Sequence, residues 1–408
     1  MSRTPDLKPR PAQANEFPNT QSARCRFAVD PALHLSQHAL MTRRAPSHRP
    51  SRSHRRQQAC PEFGEGAHTH AKRRVQPYAK LPWLWLAVLV LGLPAALHAQ
   101  VNEVQKLAPD VYFHEGDLKG HGHCNNGWIV FDDYVLVIDG NFPSGAKEII
   151  PKIKAITDKP IRFTFDTHHH GDHAYGNLVW VENGAVPVAH VGVIEEMLKY
   201  ETGYYGGAPG RWEEEVKKRP DVAASKLKPP TLLFRRDMIF DDGTHRVELH
   251  HFGTAHTHGD GFAWLPKEKI LFTGDACVNG PYNFTGDGNI GEWVTTLGEA
   301  RKLGAQTVCP GHGPRGTGDL LADQQAYFVE LRKQVKKVAR KSPAQVQSSV
   351  DSIRAALQQQ PQIARYVGDF LSAQVEKAYV EAGGKPFSPA KVSADDHERH
   401  ARMHQAER

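Results

Sequence analysis

Cysteine is scarce in this chain: five in 408 residues. Cys25 and Cys60 lie in the leader, so the body keeps only Cys124, Cys277 and Cys309. An odd, widely spaced set is no disulfide framework. Cys277 and Cys309 read as small buried apolar residues, with a bridge between them the alternative in an oxidising compartment. Acidic residues are nearly missing from the start of the chain. Residues 1–80 hold 15 Lys+Arg against 5 Asp+Glu, and the remainder holds 36 against 40. The basic pI therefore belongs to the leader, and the near-neutral body gives no charge-based reason to expect nucleic-acid binding. No internal sequence repeat is seen either.

The leader is rich in Arg, Pro, Ser, His and Gln and shows no hydrophobic periodicity, so disorder is expected over 1–80. An apolar run follows from Leu81 to Ala99, with basic residues before it and small residues at its end, as in an export signal. Leu97 at the −3 position is a poor cleavage residue, which leaves an uncleaved anchor as the rival reading. Eighty residues is too long for the basic flank of a signal, so the functional start is expected downstream of Met1. The location implied is periplasmic or secreted, with membrane contact only if 81–99 is retained.

What is present in abundance is histidine, and it is concentrated in Thr167-His168-His169-His170-Gly171-Asp172-His173. Imidazoles and carboxylates at this density are costly to bury and unnecessary on a surface. A metal cradle is the simplest reading, with a surface run or tag-like metal-sticky tract as the alternative for the cluster alone. In an extended segment His168 and His170 point the same way and can share an ion. Gly171 permits a tight turn that aims Asp172 and His173 at a second position.

The surrounding pattern alternates sheet and helix. Strands are expected at Val111–Phe113, Trp128–Phe131, Tyr134–Ile138, Pro160–Phe165, Val186–Ala189, Met238–Phe240, Arg246–His251, Phe262–Leu265, Lys269–Thr273 and Thr307–Cys309. Helices are expected from Ser144, around Ala174–Val179, over Val193–Tyr200 and over Glu292–Leu303. Residues 201–230 look like a loop or helical insertion. From Asp319 to about Gly383 the pattern is helical, with Leu320, Leu321, Tyr327, Phe328 and Leu331 on one face of the first helix. The divisions expected are 1–80, 81–99, a catalytic domain over 100–318, a helical extension over 319–385 and a charged tail over 386–408. This is a layered α/β body.

Three further ligand-bearing stretches each follow an expected strand: Gly253-Thr254-Ala255-His256-Thr257, Thr273-Gly274-Asp275 and Pro310-Gly311-His312-Gly313. Loops at one edge of a sheet converge in space. With the histidine cluster, and in this order, they resemble the metallo-β-lactamase superfamily over roughly residues 104–318. The resemblance implies a four-layer αββα sandwich with the metals at one edge of two packed sheets, followed here by the C-terminal helical extension. It implies His168, His170 and His256 on one metal, Asp172, His173 and His312 on the other, and Asp275 between them. Asp139, at the end of the Tyr134–Ile138 strand, resembles the family's early Asp, which braces the metal loop.

Two zinc ions suit such an N/O donor set, with iron or manganese as substitutes. Hydroxide held between two ions is then available at neutral pH to attack an ester, thioester, lactone or related bond of a small molecule, with Asp172 orienting it. Asp275 and Val278 stand where many β-lactamases of the family carry Cys and, three residues on, Lys. Esterase-type members are therefore the nearer resemblance, with β-lactam cleavage and a non-catalytic periplasmic metal-binding module as alternatives. The 82 residues between His173 and His256 leave little room for the cap domain of a nucleic-acid-processing member. His123, Tyr205 and Asn289 are taken as substrate contacts, with His121, Cys124, Tyr204 and Tyr282 in the same loops. His169 is expected to point away from its neighbours toward backbone, and Asp260 to brace its loop. Oligomeric state is not readable.

Overall fold

The computed structural model describes residues 101–199 and 210–387. The leader, the 81–99 run, Tyr204, Tyr205 and the tail from 388 lie outside the described residues.

Two sheets form the centre. The first has strand order β1 (Val104–Ala108), β2 (Val111–His114), β3 (Asn126–Val130), β4 (Val135–Ile138), β5 (Ile161–Asp166), β6 (Val186–His190), β7 (Leu232–Phe234). Neighbours are antiparallel as far as β4 and parallel from β4 to β7. The second sheet runs β12 (Thr307–Cys309), β11 (Ile270–Phe272), β10 (Phe262–Leu265), β9 (Arg246–His250), β8 (Asp237–Asp241). Only its β11–β12 pair is parallel.

Side-chain alternation decides which layer each strand residue joins. Val111, Phe113, Ile129, Phe131, Leu136 and Ile138 point between the sheets, against Val247, Leu249, Ala263, Leu265 and Phe272. Their neighbours Tyr112, Trp128, Val130, Val135 and Val137 point outward onto α1 (Pro143–Lys154), whose Ile149, Ile150 and Ile153 complete that core. The short helices α2 (Gly171–Ala174) and α3 (Asn177–Glu182) follow β5, and α4 (Val191–Lys199) follows β6. The helix expected around Ala174–Val179 is thus two pieces, broken at Tyr175-Gly176. Within 201–230, α5 (Arg211–Lys218) and α6 (Pro220–Ala223) confirm the helical insertion. β1 and β7 were not singled out in the sequence; both are edge strands, and edge strands carry weak apolar signals.

The far face of the second sheet is covered by α7 (Ile290–Arg301) and then by α8 (Asp319–Lys336), α9 (Pro343–Gln347), α10 (Val350–Gln358), α11 (Pro361–Ala364) and α12 (Leu371–Glu381). One apolar cluster joins Trp264 and Leu271 of the sheet to Trp293 and Leu297 of α7 and to Leu320, Leu321, Tyr327, Phe328 and Leu331 of α8. The amphipathic face read in the sequence is therefore buried against the sandwich. The result is the αββα arrangement with C-terminal helices sharing its second outer layer. Among the described residues no helix is long and apolar enough to cross a membrane.

β4 and β5 are parallel, as are β11 and β12, and β9 runs in the same sense as β11 across antiparallel β10. Their carboxyl ends release Asp139, the 167–173 segment, the 253–260 loop, Asp275 and His312 at common sheet edges.

Candidate metal centre

His170 is the last extended residue before α2, and the one-turn helix swings Asp172 and His173 to the other side of the strand end. Gly171 is demanded by a close approach: a Cβ there would lie 2.7 Å from the Tyr175 ring and 2.9 Å from the Phe142 ring. Its role is room for those rings, with the turn itself supplied by the helix start.

Hydrogen bonds set the tautomers of three imidazoles. His256 Nδ1 lies 2.9 Å from the carbonyl oxygen of Phe284, so Nδ1 carries the proton and Nε2 is left as a lone pair. His170 Nε2 lies 2.6 Å from Asp287 Oδ2, which puts its proton there and leaves Nδ1 as a lone pair. Thr167 Oγ1 donates to Asp139 Oδ1 at 2.7 Å and so receives the His168 Nδ1–H at 3.1 Å. His168 Nε2 is then a buried nitrogen with no hydrogen-bond partner. Three lone pairs converge, with a donor atom from each of His168, His170 and His256 within 4.8 Å of the others. His256 Nε2 and His170 Nδ1 are 2.8 Å apart. Acceptors facing one another in a dry site call for a cation, and neutral imidazole nitrogen is a zinc ligand.

Burial keeps these rings neutral. It drives His168 well below the ordinary imidazole range, with help from His173, His170 and His256. Burial likewise lowers His170 to about 3 and His256 to about 4.

The second group is of opposite character. His173 Nε2 lies 3.4 Å from both Asp172 Oδ2 and Asp275 Oδ1. His312 Nε2 lies 3.1 Å from Asp172 Oδ2 and 3.3 Å from Asp275 Oδ2. Burial works against charge here, yet Asp275 and Asp172 raise His312 to about 9. Burial is likewise overcome at His173, which the carboxylates of Asp172, Asp139 and Asp275 and the Cys124 thiol hold well above its usual value. Both carboxyls, despite their burial, sit well below the carboxylate range beside these two rings. Without metal, then, protons on His173 and His312 neutralise the carboxylates, and a divalent ion would displace them. Asp275 faces both groups, since its Oδ2 is also 3.6 Å from His256 Nε2. The residues fit a metal centre on the chemistry of the donors and on their orphaned atoms.

All seven sequence-derived ligand positions therefore meet at one place. Asp139 braces it as expected: it accepts from Thr167 N and Oγ1 and lies 3.0 Å from His173 Nδ1. Asp260 accepts from Ala255 N, Thr257 N and Thr257 Oγ1, so it holds the His256 loop. Cys277 and Cys309 are free and buried, as is Cys124.

The remaining candidate residues are placed as follows. His169 does not turn to backbone: it is buried 3.5 Å from Asp287 Oδ2 and 3.4 Å from Arg211 Nη1. His123 is 3% exposed, with Nε2 2.8 Å from Ser144 Oγ and Nδ1 3.7 Å from Glu148. It ties its loop to α1. Asn289 caps α7 by accepting from Glu292 N, so its side-chain oxygen is committed to the helix. Tyr282 does reach the centre, its ring 6.0 Å from that of His312.

Sequence reasoning missed Asp287 and Arg211. Asp287 accepts from His170 and from Arg211 Nη1 and Nη2 at 2.7 and 3.2 Å. Burial opposes its charge, but Arg211, His169 and His170 hold its carboxyl well below the usual range. A Gly-Asp-Gly string reads as a turn, and only the fold brings it under a histidine 117 residues away.

Residues 120–312 match the family model described as the metallo-beta-lactamase superfamily. Among solved structures, a metallo-beta-lactamase from Pontibacter korlensis aligns at 21% identity and TM-score 0.45, over 56% of this chain and 98% of that one. The DIM-1 metallo-beta-lactamase aligns at 20% identity and TM-score 0.45, over 57% and 99%. With the sandwich and the clustered donors in place, the 120–312 stretch belongs to the metallo-β-lactamase superfamily, and the chain carries a metal-dependent hydrolase domain of that family.

Proposed function

We propose that the chain is an exported dinuclear zinc hydrolase that cleaves an ester, thioester, lactone or related bond in a small molecule. The observation that carries this reading is the position of Asp275, within 3.6 Å of His256 and within 3.4 Å of His173 and His312. One ion would be held by His168, His170 and His256, and the other by Asp172, His173 and His312, with Asp275 shared. Divalent ions bound there supply Lewis acidity and bring the pKa of water down to about 7.

The chain's own residues do the rest. Thr167, Asp287 and the Phe284 carbonyl each engage the far nitrogen of one histidine, which keeps the facing nitrogen free to bind. Asp172, 22% exposed against 7% for Asp275, is the carboxylate that can accept a hydrogen bond from an attacking water at Oδ2 and so orient it. Trp293, fully buried, lies against the His256 ring and excludes water on that side. Export rests on the apolar 81–99 run, and a fusion of that run to a reporter active only outside the cytoplasm tests it.

The hydrolase reading is tested by metal analysis and by turnover of a thioester, a lactone, a phosphodiester and a cephalosporin, each with and without chelator. Chelator-sensitive turnover of the thioester or lactone, with about two zinc ions per chain, is the expected result. Preference for the cephalosporin would make the chain a β-lactamase. No turnover of any of them would leave a metal-binding module.

A further inference from the structure

We propose that the C-terminal helices supply the wall that recognises the substrate's acyl group, with Phe370 as a specificity-determining residue and an apolar acyl chain as its ligand. The inference deepens the hydrolase reading and rests on it for the bond that is cleaved.

The loop 281–285 lies beside both halves of the metal centre. Tyr282 sits against His312, and the Phe284 ring centroid is 5.7 Å from His170 and 6.2 Å from His256. That loop is held from the C-terminal side. Gln374 of α12 donates to the carbonyl oxygen of Asn283 at 2.6 Å. Gly368 meets Pro281 so closely that a Cβ on it would fall 2.5 Å from Pro281 Cβ. Immediately before α12, Phe370 lays its ring edge-on to Phe284 at 6.1 Å.

Phe370 is 42% exposed, although a large aromatic side chain gains most by being covered. Its ring meets that of Phe284, which in turn stands 5.7 Å from His170 and 6.2 Å from His256. Two ring-to-ring steps of 5.7 and 6.1 Å thus lead from the ligand histidines to solvent. A polar or charged substituent gains nothing along that path. Methylenes do, and only when the chain is long enough to pass Phe284. The chemistry that fits is an acyl chain of several carbons, whose carbonyl lies at the metal centre.

The test uses the full, zinc-loaded chain and p-nitrophenyl esters from acetyl to octanoyl. In the unaltered protein kcat/KM is expected to rise about two- to fourfold per added methylene, the upper figure corresponding to full burial. Phe370→Ala should flatten that series, with the octanoyl ester losing about tenfold and the acetyl ester losing less. Phe370→Leu should restore most of the slope. A flat series in the unaltered protein, or a slope that both variants leave intact, overturns the proposal. Calorimetric binding of the carboxylates from butyrate to decanoate separates it from the hydrolase reading. If no ester is turned over, tighter binding of longer chains that Phe370→Ala abolishes keeps the acyl wall and removes only the hydrolase. Binding indifferent to chain length removes the wall itself.

Discussion

Asp287 is buried behind His170, and it should control how tightly the metal is held. Asp287→Asn is nearly isosteric, so packing is preserved and only charge and acceptor capacity change. Among the described residues the carboxylate meets an N–H donor of His170 and two of Arg211, with His169 Nε2 3.5 Å away. An amide can accept through one atom only, and its NH2 must then face another donor. Asp287 is 3% exposed, so water does not make up the difference. Loss of the partner that fixes a ligand histidine weakens metal binding by about ten- to a hundredfold. Removing one charge of a buried pair costs about 3 kcal/mol or more. Metal affinity would be read by competition with a chromophoric chelator, and stability by urea unfolding in excess chelator. The double variant Asp287→Asn/Arg211→Met should recover part of the stability but none of the metal affinity, because the two losses have different partners. A zinc Kd within twofold of native, together with a stability change under about 0.5 kcal/mol, would refute the argument that this carboxylate orients His170.

Other consequences are open to measurement. Chelation should lower the thermal midpoint, and zinc added back should raise it with concentration, since a ligand bound only by the native state stabilises by mass action. Acid should weaken the fold through His114 and His190, both lowered to about 4, chiefly by burial. A folded pKa below the unfolded value of about 6.5 means stability is intact above that pH and is lost as pH falls toward 4. By pH 5 each contributes a loss of about 2 kcal/mol. His190→Gln should make the unfolding midpoint fall less between pH 7 and 5. Gln324→Ala should cost about 1–3 kcal/mol, because Gln324 accepts from Val278 N and donates to the Ala276 carbonyl, both in the segment just after Asp275. Urea unfolding reads that loss, and an unchanged midpoint would show that the segment does not depend on α8.

The strands and the ligands were legible because each announces itself locally. Unbroken apolar runs in Val111–Phe113 and Val135–Ile138 mark strands that are covered on both faces. Ligand histidines and aspartates stand in glycine-flanked strings after apolar runs, a combination with few other uses. Even so, the outcome for single residues depended on what lay across from them. His123 has Ser144 across from it and Asn289 caps α7, pairings that no local pattern announces.

From the residue string alone came the donor types, their order along the chain and the strand ends that carry them, since these follow from side-chain chemistry and short-range periodicity. Only the folded arrangement decided which nitrogen of each histidine faces inward and that Arg211 and Asp287 stand behind His170. The same holds for the α12 end, which sets Phe370 beside the loop next to the metal centre. Those contacts join residues 76 to 117 positions apart or, for Gln374 and Asn283, 91 apart. No local pattern encodes such pairings, because they are selected by the packing of whole layers, where a common Asp, Arg or Phe acquires its role from the space it is brought into.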